Sequence, residues 1–163
     1  MFNNSCLSKE ITDFRTLGTG HKRKKIVIVD QQGCISITRV LHNFSCTKGR
    51  IVFENGRSFN LKARTLGGQR VSLFFWTEEW QYQWHRQCEI EKVRPFIETT
   101  RPEDLQIFAD IVSELSEMER ISVDPSFPSL AESKIIEGLW RLSLQQLRNL
   151  TALLYLADEE IAA

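Results

Sequence analysis

The chain has 163 residues, 42% of them hydrophobic, and 21 Lys and Arg against 21 Asp and Glu. That length holds one ordinary core or two small ones. The four cysteines (Cys6, Cys34, Cys46, Cys88) are too irregularly spaced for a disulfide framework. No apolar run approaches the roughly 18 residues of a membrane span, and the first twenty residues are too polar for a signal peptide. A soluble, cytoplasmic protein without a membrane role is expected.

The zero total hides a segregation. Residues 1–75 carry 13 Lys and Arg against 4 acids, a net +9, and residues 76–163 carry 8 against 17, a net −9. Such asymmetry points to a polyanionic partner for the basic half, unless the two halves simply neutralise one another.

In chain order, residues 1–24 are expected to be a flexible basic arm ending in Lys22, Arg23 and Lys24, with Lys25 opening the next element. Residues 25–76 have an apolar period of two and predict a basic antiparallel meander of about five strands. IVIVD (26–30) is nearly continuous, as in a strand buried on both faces. CISITRVL (34–41) alternates Ile35 and Ile37 with Ser36 and Thr38. Asn55-Gly56 predicts a two-residue type I′ hairpin that sets Glu54 opposite Arg57 and Val52 opposite Phe59. Gly67-Gly68 predicts the next reversal. By strand parity Lys62, Arg64, Arg70, Phe74 and Trp76 share an outer face, chemically fit for phosphates and bases. Alternatively, Phe74 and Trp76 are tucked under a helix.

Residues 77–163 are expected to form an acidic bundle of about four helices, either by itself or as one compact domain with the sheet. Thr77-Glu78-Glu79 opens the first, with Trp80, Trp84 and Cys88 on one stripe, and it is expected to end before Pro95. Thr100-Arg-Pro-Glu103, Ser129-Leu-Ala-Glu132 and Ser143-Leu-Gln-Gln146 have the spacing of capping boxes. The inward set of the second helix is Leu105, Phe108, Val112 and Leu115. The third carries Ile136, Leu139 and Trp140. The last helix holds more leucine than one core stripe needs. Leu147, Leu150, Leu153 and Leu154 are therefore expected to form a homodimer interface, in preference to a base-reading helix presenting Gln145, Gln146, Arg148 and Asn149.

No nucleophile elbow, phosphate loop or HExxH motif is present, so catalysis, a cofactor and a small-molecule substrate are not expected. His42 with Cys46, and His85 with Cys88, have spacings that could chelate a metal, but no CxxC knuckle accompanies them and no metal is expected. The chain has neither an RNP pair, a GxxG loop nor zinc-finger spacing. The expectation is an α+β, non-enzymatic, DNA-binding accessory or transcriptional regulatory protein, with RNA not excluded. Phosphate contacts would come from Lys22, Arg23, Lys24, Lys25, Arg57, Lys62, Arg64 and Arg70. The alternative is an antitoxin, immunity or inhibitor protein that works through protein–protein interaction of its acidic helices.

Overall fold

The computed structural model describes residues 8–12, 25–41, 49–117 and 119–162. It is an α+β protein with six strands followed by four helices: β1 (Lys25–Asp30), β2 (Ile35–Arg39), β3 (Arg50–Val52), β4 (Ser58–Asn60), β5 (Thr65–Leu66), β6 (Gln69–Phe75), α1 (Glu78–Thr99), α2 (Leu105–Ser116), α3 (Pro128–Leu139) and α4 (Leu144–Ala162). The chain divides into two compact units, one ending at Trp84 and one beginning at His85.

In the first unit the antiparallel strands lie in the order β2-β1-β6-β5-β4-β3. The two outermost strands also meet. Val40 bridges Phe53, flanked by Leu41 N–H donating to Val52 O and Glu54 N–H donating to Arg39 O, both 2.9 Å. The meander is thereby rolled into a barrel, which β6 closes on β1 through five paired positions from Ile26↔Phe75 to Asp30↔Val71. Ile26, Ile28, Ile51, Phe53, Phe59, Leu66 and Leu73 fill the interior, joined by Val40 and by Ile11. Ile11 comes from a short N-terminal segment that pairs with β6, its N–H donating to Leu73 O at 2.7 Å.

The opposite face of β1 is buried as well. Val27 and Val29 pack with Ile35, Ile37 and Phe74, and Trp76, Trp80 and Trp84 cover them. β1 thus has the two buried faces that its continuous apolar run predicts. The β2 alternation therefore points Ile35 and Ile37 away from the barrel interior and towards the tryptophans.

Two turns differ from expectation. β3 and β4 pair Ile51↔Phe59 and Val52↔Ser58, so the register is one residue from the expected one and Glu54 does not oppose Arg57. Phe53 N–H donates to Arg57 O, and Gly56 N–H to Phe53 O, both at 2.9 Å. The loop therefore has three residues. Only Gly56 needs positive φ there, at 77°, whereas a type I′ turn would need it at Asn55 too. After β4, the Asn60 carboxamide oxygen accepts from Lys62 N–H at 3.0 Å and Ala63 N–H at 3.1 Å. Capture of those two donors ends the strand. Lys62 and Arg64 consequently sit on a turn instead of a strand face. The Gly67-Gly68 reversal forms as expected, with Leu66 opposite Gln69.

α1 begins where Thr77 Oγ1 accepts from Trp80 N–H at 3.3 Å. It runs through Pro95 to Thr99 instead of stopping before the proline. Pro95 removes one intrahelical hydrogen bond, a penalty of about 3 kcal/mol. Val93 and Ile97, fully buried on either side of it, hold the helix in place.

In the second unit, Ile90, Val93 and Ile97 pack with Leu105, Phe108, Val112, Ile135, Leu139, Leu142, Leu147 and Leu150. Of the three expected capping boxes only the last forms: Ser143 N–H donates to Gln146 Oε1 at 2.8 Å, and Gln146 N–H to Ser143 Oγ at 3.3 Å. The Thr100 hydroxyl instead donates to Phe96 O, 2.6 Å away, and α3 starts at Pro128 with Phe127 before it, placing Ser129 inside the helix. The connection between α2 and α3 is fastened along α2 by side chains. Gln106 exchanges bonds with Ile121 O and Val123 N–H, each 3.0 Å, and Ser113 Oγ accepts from Ile121 N–H at 2.8 Å.

Candidate nucleic-acid interface

Lys62, Arg64 and Arg70 line one shallow groove of about 510 Å3 on the barrel unit, together with Glu10, Asp30, Gln31 and Ser72. Their convergence has a local cause. The Asn60 turn delivers Lys62 and Arg64, and the Gly67-Gly68 hairpin returns Arg70 opposite Thr65. Arg64 is not directly across from Arg70, as parity suggests; its carbonyl accepts from Val71 N–H at 3.2 Å. All three cations are exposed.

The acids in the groove are already engaged. Asp30 Oδ1 accepts from Gln32 N–H and Cys34 N–H, both 2.9 Å, and so shapes the β1–β2 turn. Glu10 lies 3.7 Å from the Arg64 guanidinium. Arg64 therefore takes its internal counter-ion from the N-terminal segment. Among the described residues no acid pairs with Lys62 or Arg70.

Arg64 has a second distinguishing property. Its φ is 53°, and among the described residues only Glu117 is another non-glycine residue at positive φ. The left-handed region costs an L-residue about 1–2 kcal/mol. An arginine held where glycine would be at ease is a backbone outlier of the kind that collects at functional positions.

Of the other expected cations, Lys25 and Arg57 are not in this groove. Lys25 stands beside Trp76 at the other end of β6, about 20 Å from Arg70 at about 3.3 Å per residue, and its ammonium lies 4.6 Å from the Trp76 ring centroid. Arg57 is at the three-residue loop after β3. Lys22, Arg23 and Lys24 lie outside the described residues. Phe74 and Trp76 belong to the layer covered by α1, with the Phe74 and Trp80 rings 4.8 Å apart. They are not an open stacking platform. The sequence missed Glu10 because its pairing with Arg64 depends on the docking of the N-terminal segment against β6.

His42 and Cys46 lie outside the described residues, and among those described no group of three His, Cys, Asp or Glu converges. Burial pushes the Cys88 thiol above its ordinary pKa, so the thiolate form is disfavoured. In the second unit, Leu147 and Leu150 are 0% and 2% exposed, which makes them core residues of the bundle. Leu154 packs partly against that core, and of the four expected interface leucines Leu153 alone is open, at 63%.

Compared with protein-family models, with curated proteins and with solved structures, the chain matches none.

Proposed function

We propose that the barrel unit binds DNA through its phosphates, as an accessory or regulatory protein of the cytoplasm and not as an enzyme. The observation that supports this most is the groove of Lys62, Arg64 and Arg70: three exposed cations of which one has an ion-pair partner among the described residues, on a chain half with a large positive excess. Phosphate oxygens are the natural ligands of such a cluster, and neutralising them releases counter-ions. With Phe74 and Trp76 under α1, the groove offers charge without a stacking surface, so binding is largely indifferent to base sequence. Lys22, Arg23, Lys24, Lys25 and Arg57 add further phosphate contacts. RNA presents the same phosphates and is the natural competitor.

The test is a gel shift on random duplex across a salt series. Replacing Lys62, Arg64 and Arg70 with alanine should weaken binding evenly across sequences. It should also lower the slope of log K against log salt by roughly 0.9 for each phosphate that is no longer neutralised. A wild-type protein that shifts no duplex at low salt overturns the proposal, as does an unchanged slope in the triple variant.

A second reading, a protein–protein module such as an inhibitor or antitoxin, has one observation in its favour. Most of the exposed large apolar side chains, among them Ile107, Phe127, Leu130 and Leu153, are on the acidic helical unit.

A further inference from the structure

We infer that the outer stripe of α4 is a self-association surface, on which a second copy of the chain lays its own α4 antiparallel. α4 turns Leu147, Leu150 and Thr151 into the bundle. On its other side Ala152, Leu153 and Leu156 are exposed at helical spacing, Leu153 to 63% and Leu156 to 59%. From Asn149 to Ala157 the helix carries no charged residue at all. Such an uncharged, leucine-bearing surface on an otherwise acidic unit is a site for another apolar surface.

The choice of a second copy rests on the charges that bound this stretch. Arg148 precedes it and Asp158-Glu159-Glu160 follow it. A helix with a cation at one end and acids at the other, separated by an apolar stripe, is complementary to itself when the two copies run in opposite directions. Each Arg148 then faces the acidic end of its mate, and the leucines meet about a two-fold axis. That is the geometry of an isologous dimer. The other exposed pair of the unit, Ile107 and Ile111 on α2, lacks this property. Asp104 and Asp110 beside it are already paired with Arg101 and Arg120, and no uncharged stretch there is bounded by a cation at one end and acids at the other. One helical stripe buries less than the roughly 800 Å2 per partner of a standard interface, which makes the association concentration-dependent and the monomer and dimer interconvertible.

The experiment is sedimentation equilibrium on the full chain at concentrations up to about 200 µM. A monomer–dimer equilibrium is expected in the wild type. Leu153→Glu with Leu156→Glu should weaken it at least about tenfold, with an unchanged circular dichroism spectrum because both positions are exposed. A third variant, Ala152→Cys, keeps the surface apolar. Under mild oxidation it should give a disulfide-linked dimer, absent from the wild type with its native cysteines, because the two copies of residue 152 lie close to the two-fold axis. A monomer at every concentration overturns the inference. So does a dimer that the double variant leaves intact, or an Ala152→Cys chain that cross-links no more than the wild type.

Discussion

Arg64 allows the strain at the groove to be separated from its charge. Arg64→Ala and Arg64→Gly both remove the guanidinium and its 3.7 Å approach to Glu10. That pair is substantially exposed, at 48% and 36% for the two side chains, so its removal is worth well under about 1 kcal/mol and is common to both variants. What differs is the backbone at φ 53°. Alanine inherits the left-handed penalty of about 1–2 kcal/mol. Glycine escapes it, but its freer unfolded chain returns about 0.4–1 kcal/mol. The glycine variant should therefore be the more stable of the two by about 0.5–1 kcal/mol. Urea unfolding followed by tryptophan fluorescence is the assay, since Trp76, Trp80 and Trp84 all belong to the barrel unit. Both variants should show the same reduction of salt slope in the gel shift. A glycine variant less stable than the alanine one would refute the left-handed turn. Equal stability with intact DNA binding would remove Arg64 from the interface and leave its conformation without a functional reason.

Gly138→Ala should destabilise the helical unit by about 0.5–2 kcal/mol, although alanine is the better helix former by about 0.5–1 kcal/mol. A Cβ there would lie 2.8 Å from both Ile121 Cδ1 and Val112 Cγ1, and a raised urea midpoint would show that the neighbours yield freely. The acid limb of stability should depend on Asp110. The Arg120 hydrogen bonds at 2.8 Å, aided by Gln106, hold its carboxyl below the usual carboxylate range. The folded state thus favours the ionised form, and its contribution is present above the ordinary carboxylate pKa and lost as pH falls through the depressed one. Asp110→Asn should flatten that part of a pH–stability curve, and a variant with an unaltered acid limb would count against the clip.

Much of the architecture is legible because its causes are local. The IVIV run predicts β1 with two buried faces, Gly67-Gly68 predicts its own hairpin, and Ser143 with Gln146 predicts the start of α4. The departures share one origin: a local signal is overruled by something distant or by an equally local competitor. Asn55-Gly56 is compatible with two hairpin loops of different length, and the pairing of Ile51 with Phe59 selects the longer. Pro95 is a helix stop only until Val93 and Ile97 are buried. Thr100 has the spacing of a cap, but the Phe96 carbonyl competes for its hydroxyl. For the site, the three groove cations are legible as a set, while the turn that gathers them depends on Asn60, and the Glu10 pairing on a strand far along the chain. Leu147 and Leu153 look alike in sequence; only the helix's orientation separates the core residue from the open one.

The pairing of β1 with β6 also bears on the order in which the barrel is synthesised. β1 emerges from the ribosome first, yet Ile26 finds its partner only at Phe75 and Asp30 only at Val71. At about 5–20 residues per second of synthesis, an apolar strand waits several seconds before β6 exists to cover it. An uncharged Ile-Val-Ile-Val segment in that interval is the kind of sequence that seeds intermolecular β-pairing. The four cations of HKRKK stand immediately before it in sequence, the position at which gatekeeper charges oppose such pairing between nascent copies.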